Sequence, residues 1–195
     1  TAAMRVDELE DGDGLILPNG RRNGGWFAAN DGTGEQFPAG SGPGECADEW
    51  GFTTTDGQAC THGSGFSSWG GEIGLTLRAS ALGCVSCSYD ISAFTGVRFT
   101  LHATPGIVVR FEVGLLSTVT QQFGGSCVED GTCWDDYGVD IAPGGDPITL
   151  SVGFDDLAQR GWGRQVPWTP EQAWTLRWVV NGPDFDFCVD DVELF

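Results

Sequence analysis

The chain has 195 residues, of which 40% are hydrophobic and 11% aromatic, with 31 glycines and 9 prolines; this suits one well-cored domain with many turns and argues against disorder or a coiled coil. Its net charge of −19, from 28 acidic against 9 basic side chains, repels phosphate-rich partners and so disfavours nucleic acid and anionic membranes as ligands. No apolar run nears the roughly 20 residues of a membrane helix, and the N-terminus lacks the basic-then-apolar layout of a signal peptide, so the expectation is a soluble, mature or excised segment.

In chain order, an acidic opening, Asp7 to Asp13, is followed by Gly25-Trp26-Phe27-Ala28-Ala29-Asn30-Asp31-Gly32. Residues 33–66 read as a long glycine-rich insertion, of the kind that is usually functional or covalently pinned. Strands are predicted at Ile73–Leu77, Val97–Ala103, Ile107–Val113, Ile148–Val152, Trp174–Val180 and Phe185–Leu194, where alternation or β-branched and aromatic residues run between glycine, proline or aspartate. Thr104-Pro105-Gly106 is a turn signal, which makes the second and third of these a hairpin. The only helix signals are short, at Asp155–Arg160 before Gly161 and at Thr169-Pro170-Glu171. Many short strands without intervening helices predict an all-β, two-sheet antiparallel sandwich or barrel spanning residues 1–195.

Seven cysteines point to an oxidising compartment and to disulfides. Cys127–Cys133 and Cys84–Cys87 would close small loops, and Cys46 with Cys60 would tie down the glycine-rich stretch. Cys188, alternating inside a strand, reads as a small buried hydrophobe. Structural zinc on Cys84-Val85-Ser86-Cys87 is the rival, but it lacks a second pair or a histidine couple at ligand spacing.

The opening acids from Val6 to Asp13, the stretch Gly25–Gly32, the central Gly65-Phe66-Ser67-Ser68-Trp69-Gly70-Gly71 and the closing segment Phe185–Phe195 together resemble bacterial jelly-roll carbohydrate-binding modules of the galactose-binding-like group, above all the family-eleven glucan-binding modules. The resemblance spans nearly the whole chain. It implies a secreted or cell-surface jelly roll, monomeric and non-catalytic, that binds polysaccharide or oligosaccharide and was once attached to, or acts beside, a carbohydrate-active enzyme. It also implies a structural calcium where the two ends meet, with Glu10, Asp31 and Asp190 as ligands and Asn30, Thr33, Asp11 and Asp191 as further contributors. The residues suit that ion independently: calcium takes six to eight oxygens, and the Asn30-Asp31-Gly32-Thr33-Gly34 turn offers carboxylate and carbonyl together. Strict alternation in the last strand places Asp190 inward with Val192 and Leu194, and Asp191 outward. Solvated acids and an Asx-turn are the plain alternative.

A sugar site pairs an aromatic face with planar polar groups, and eight tryptophans supply the first. Trp26, Trp174 and Trp178 lie in apolar-periodic segments and read as packing residues, and Trp69 is ambiguous. Trp134, Trp162 and Trp168 sit among Gly, Asp, Arg and Pro, in predicted loops, and are the candidate platforms. The polar candidates are Arg110, Gln121 and Gln122, together with Asp135, Asp136 and Tyr137 beside the Cys127–Cys133 loop, although Arg110 paired to a neighbouring acid and Asp135-Asp136 capping a turn would be structural. With two histidines, His62 and His102, and neither a G-x-S-x-G nor an H-E-x-x-H motif, catalytic triads and zincin chemistry are nearly excluded. A jelly-roll hydrolase or lyase using paired carboxylates, and a calcium-stabilised adhesive or spacer domain, are the alternatives.

Overall fold

A computed structural model describes residues 4–42, 45, 52–79, 85–128 and 131–195. Among these residues eleven strands run in chain order: β1 Met4–Asp7, β2 Trp26–Asn30, β3 Glu35–Phe37, β4 Ala59–Ser64, β5 Gly71–Thr76, β6 Gly96–Ala103, β7 Val109–Leu115, β8 Tyr137–Ile141, β9 Ile148–Gly153, β10 Ala173–Val180 and β11 Phe185–Leu194. They form two antiparallel sheets. One has the order β3-β4-β11-β6-β9, with β1 added beside β11, and the other the order β2-β5-β10-β7-β8. β1 pairs with the end of β11, Met4 opposite Leu194, so the first and last strands are neighbours.

Alternation along the strands drives the sandwich. Trp26, Ile73, Leu75, Leu176, Trp178, Phe111 and Val113 of the five-stranded sheet meet Val97, Phe99, Leu101, Phe187, Val189 and Leu194 of the other in one buried core. At its centre Trp26 stacks on Trp178 at 5.5 Å, Phe99 meets Trp178 edge-on at 5.2 Å, and Phe99 lies 5.0 Å from Phe111. Burying one such side chain is worth about 1.5–3 kcal/mol.

Four expectations are corrected. β6 and β7 are not a hairpin: β6 pairs with β11 and β9, and β7 with β10 and β8. The Thr104–Gly106 turn carries the chain from one sheet to the other, so the apolar faces of the two strands, Phe99 and Phe111 among them, pack across the core instead of side by side. The stretch 33–66 is not all loop, since it contributes β3 and β4 to the six-stranded sheet. The predicted helix at 155–160 is only a 3₁₀ turn at Phe154–Asp156, after which Leu157 is extended. In β11 the alternation breaks: the register shifts between Asp190 and Glu193, and Asp191 is left-handed at φ 52°. Val189 and Val192 both point inward, and Asp190 and Asp191 both lie away from the core.

Among the described residues the disulfides are Cys127–Cys133, as expected, and Cys60–Cys188. Cys60 and Cys188 face each other across β4 and β11 with a Cα–Cα distance of 4.0 Å, so Cys188 is no free hydrophobe and Cys60 does not pair with Cys46. Cys87 is a free thiol, which rules out a Cys84–Cys87 bond. Cys46 and Cys84 lie outside the described residues.

Candidate functional site

One end of the five-stranded sheet carries most of the candidate sugar residues. Between β7 and β8 the chain makes a 3₁₀ turn at Gln121–Phe123, closes the Cys127–Cys133 loop and returns through Trp134, Asp135 and Asp136. Gln121 and Gln122 are exposed on that turn. Trp134 is left-handed at φ 74°, a conformation that costs a side chain about 1–2 kcal/mol. It is held there by the neighbouring disulfide and by its own N–H, which donates to Thr118 O at 2.9 Å. Its half-buried ring meets Phe123 at 5.9 Å and Trp174 at 6.3 Å, both edge-on. Trp174 thus departs from the reading as a core residue. Its indole nitrogen lies where a Cβ on Gly114 would be, 2.5 Å from that position, on the side of β7 away from the core, because the register shift between Ala173 and Thr175 interrupts the alternation of β10.

Asp135 builds the neighbouring loop. Only 2% exposed, its carboxylate accepts the N–H groups of Arg160 at 2.9 Å, Gly161 at 2.8 Å and Gly163 at 3.0 Å, with Gln165 Nε2 at 3.4 Å. Gln159 does the same from inside: its Nε2 donates to Asp135 O at 2.6 Å and Arg164 O at 2.9 Å, and its Oε1 accepts Val166 N–H at 2.9 Å. These bonds take the place of the helix that local propensity favoured. The loop's apex is Trp162, 56% exposed. Trp168, by contrast, packs against the core, with Tyr137 and Phe154 each 5.2 Å away, and the Tyr137 hydroxyl donates to Val166 O at 2.6 Å. Among the expected contacts, then, Trp162, Trp134, Gln121 and Gln122 have surface to offer, whereas Asp135, Tyr137 and Trp168 lie beneath as supports.

Arg110 and Asp136 belong to a buried charge cluster on the outward side of the same sheet. Arg177 of β10, 7% exposed, donates through Nη1 to Glu72 at 3.3 Å and through Nη2 to Glu112 at 2.7 Å and to Asp136. Arg110 donates through Nε to Glu112 at 2.9 Å, through Nη1 to Asp140 at 3.3 Å and through Nη2 to Ala158 O at 2.7 Å. Asp136, 1% exposed, also accepts the Thr118 hydroxyl. Burial disfavours the charge on Arg177, but Glu72, Asp136 and Glu112 outweigh it and raise its pKa. Glu112 is shared by the two guanidinium groups, and burial raises the pKa of all three carboxylates against the pull of Arg177, Glu112 to about 7, with repulsion from Asp136 adding to the rise at Glu72 and Glu112. No local pattern announced this hub, because Glu72, Glu112 and Asp136 are 105, 65 and 41 residues from Arg177. The available signal was alternation in β10, which sets Arg177 opposite the core-facing Leu176 and Trp178.

No family model matches the sequence, and no curated protein matches it. Solved structures do. The family 11 carbohydrate-binding module of the cellulosomal cellulase Lic26A-Cel5E of Clostridium thermocellum superposes over 100% of this chain and 94% of its own, with 12% identity and a TM-score of 0.55. The chain has the fold of a family 11 carbohydrate-binding module. A family 11 module from the same organism, in complex with a β-1,3-1,4-mixed-linked tetrasaccharide, matches at 13% identity and TM-score 0.53 over 94% of this chain and 95% of that one. At such identities the likeness establishes the jelly-roll sandwich and its strand arrangement.

The calcium that the family resemblance implied does not fit the residues chosen for it. Asp31 already has its oxygens filled: Oδ1 accepts the Thr33 N–H at 2.9 Å and hydroxyl at 2.6 Å, and Oδ2 accepts the N–H groups of Ser68 at 3.0 Å and Gly70 at 2.8 Å. Burial pushes its pKa up, but these donors more than reverse this and hold it below the usual range. Asn30 Oδ1 accepts Gly32 N–H, and its amide donates to Gln36 and Gly40. Thr33 Oγ1 also accepts the Ser67 N–H at 2.8 Å. Asp191 pairs with Arg5. Burial and then two neighbouring acids, Asp191 and Glu10, raise the pKa of Asp190, and of these Asp191 is committed to Arg5, which leaves Glu10 and Asp190. Two carboxylates fall well short of six to eight oxygens, and among the described residues no cluster of three or more His, Cys, Asp or Glu would hold a metal.

Proposed function

We propose that this chain is a non-catalytic, extracellular module that binds polysaccharide or oligosaccharide chains on the surface formed by Gln121, Gln122, Trp134 and the 158–166 loop. The observation that carries the reading is Trp162, an exposed indole at the apex of a loop held by a buried carboxylate. A large apolar ring in solvent is unfavourable unless it has a partner, and pinning it removes the ordering cost of binding. Trp162 and Trp134 supply the apolar faces for pyranose rings, and Gln121 and Gln122 supply paired amide donors and acceptors for hydroxyls.

The shared jelly-roll fold supports the reading, as does the tetrasaccharide seen on one such module. The Cys60–Cys188 and Cys127–Cys133 disulfides suit an oxidising, extracellular setting. Glu112, raised to about 7, has the acidity of a general acid, but its oxygens are engaged by Arg110 and Arg177 in a walled-in cluster, which fits a structural role better than hydrolysis. Affinity electrophoresis against soluble plant and microbial polysaccharides, with released reducing ends assayed in the same mixtures, tests the proposal. Retardation by a glycan without product supports it; product would make the chain a hydrolase, and no retardation by any glycan would remove the binding role.

A further inference from the structure

Basic side chains are scarce in this protein, and where they stand is informative. All nine are arginines set against 28 acids, and most are committed. Arg5 holds Asp191, Arg98 holds Glu193, Arg110 holds Glu112, and Arg177 holds three carboxylates. Arg22 is buried against the carbonyls of Arg5 and Leu17. Two of the remaining arginines flank the exposed indole symmetrically, in Arg160-Gly161-Trp162-Gly163-Arg164. Arg160 gives Nη2 to Asp140 at 2.8 Å and keeps its other donors, while Asp140 is shared with Arg110. Arg164 is exposed and has no acid partner among the described residues. Arg21 and Arg78 are also without one there, but neither has an aromatic residue within two positions.

Along the loop, then, one large exposed ring stands two residues from an exposed arginine on either side, in a protein of net charge −19. Its backbone is held at 160, 161 and 163 by Asp135, and at 164 and 166 by Gln159. Hydroxyls of a neutral sugar are met as well by amides as by cations. A guanidinium's fork instead matches an oxyanion, and is strongest when two N–H donors meet two oxygens of one acid group.

We infer that the Trp162 loop selects a polysaccharide carrying an acid group on its hexose units, the indole meeting the ring's C–H face while Arg164 and the free donors of Arg160 take the carboxylate or sulfate. This inference rests on the proposed glycan-binding role and adds the class of glycan. Selectivity comes from the loop, because the rest of the surface repels a polyanion and so rejects polymers that fail to engage it.

The test compares matched polymers by affinity electrophoresis and calorimetry: polygalacturonate against its carboxyl-reduced form, and a sulfated galactan against its desulfated form. The expected result is retention of an acidic member, with affinity for its neutral counterpart at least about tenfold lower. Retention of polygalacturonate identifies the acid group as a carboxylate, and retention of the sulfated galactan as a sulfate. Arg164→Gln, checked for an unchanged Tm, should weaken binding of the acidic polymer about tenfold and leave any residual binding of the neutral one as it was. Equal binding of charged and neutral members, or an unaffected Arg164→Gln, overturns the inference while leaving the glycan-binding role in place. Failure to bind any polymer here or in the broader panel overturns both.

Discussion

The carboxylate of Asp135 grips the chain on both sides of Trp162: its Oδ2 accepts the Gly161 N–H at 2.8 Å and the Gly163 N–H at 3.0 Å. The residue whose ring meets solvent is thus fixed by one whose side chain never does. Both are expected sugar contacts from the sequence; the structure leaves Trp162 exposed and buries Asp135.

Asp135→Asn should keep the fold but loosen the loop, since an amide nitrogen in place of one oxygen meets N–H donors instead of accepting them. Each charge-assisted bond is worth about 1.5–3 kcal/mol. Amide exchange at Gly161 and Gly163, followed by NMR, should accelerate by at least about tenfold, and glycan affinity should fall although no sugar contact is removed. Unchanged exchange would show that Asp135 does not hold the loop.

Trp162 and Trp168 should respond oppositely to truncation. Trp162→Ala is expected to leave stability within about 0.5 kcal/mol and abolish glycan binding. Trp168→Ala removes a ring packed on Tyr137, Phe154 and the core and should cost about 3 kcal/mol in chemical denaturation. Similar stability losses for the two would contradict the assignment of one to the surface and the other to packing.

Glu112 gives stability a pH dependence with a definite sign. Its pKa rises from 4.5 in the unfolded chain to about 7 in the fold, so the fold favours the protonated form. That contribution is complete below about pH 4.5 and is lost as pH rises to about 7. Asp31 acts oppositely: its lowered pKa stabilises the fold above the ordinary value of 3.8, and this is lost as pH falls through its value in the fold. Urea denaturation across pH 4–8 should show declining stability over the upper window, and Glu112→Gln should flatten that decline. An unchanged slope in Glu112→Gln would remove Glu112 as its source.

How far the sequence revealed these features depended on how local their causes are. Alternation located β6, β9, β10 and β11 nearly to the residue, and the six-residue spacing of Cys127 and Cys133 was enough to pair them. Partner choice was not local. Nothing in Val97–Val113 says whether two successive strands lie side by side or face each other across a core. Cys188 needed a partner 128 residues away, and the helix expected at 155–160 was lost to a carboxylate 25 residues upstream of Arg160. Asp190 was misplaced because a bulge at Asp191 adds one residue to the alternation. At the site, composition around Trp162 marked it as a loop tryptophan, while the same reasoning could not separate it from Trp168, whose surroundings are polar in sequence and apolar in space.

Chelation tests whether an ion takes part in the fold. Because Asp31 is satisfied by four protein donors, the Tm is expected to be the same in calcium and in chelator. A fall of several degrees on chelation would restore calcium to the scaffold.

The central claim is that glycan is seated on the Trp162 loop and on Gln121, Gln122 and Trp134. The most direct measurement is a titration of the isotope-labelled protein with oligosaccharides of a retained polysaccharide, following the eight indole N–H resonances and the backbone amides. The account predicts the largest shifts at the Trp162 and Trp134 indoles and at the amides of Gln121, Gln122 and residues 160–164, with those of the core Trp26 and Trp178 unmoved. Shifts centred elsewhere, for example on the exposed Phe37 stacked against His62 on the opposite sheet, would contradict it.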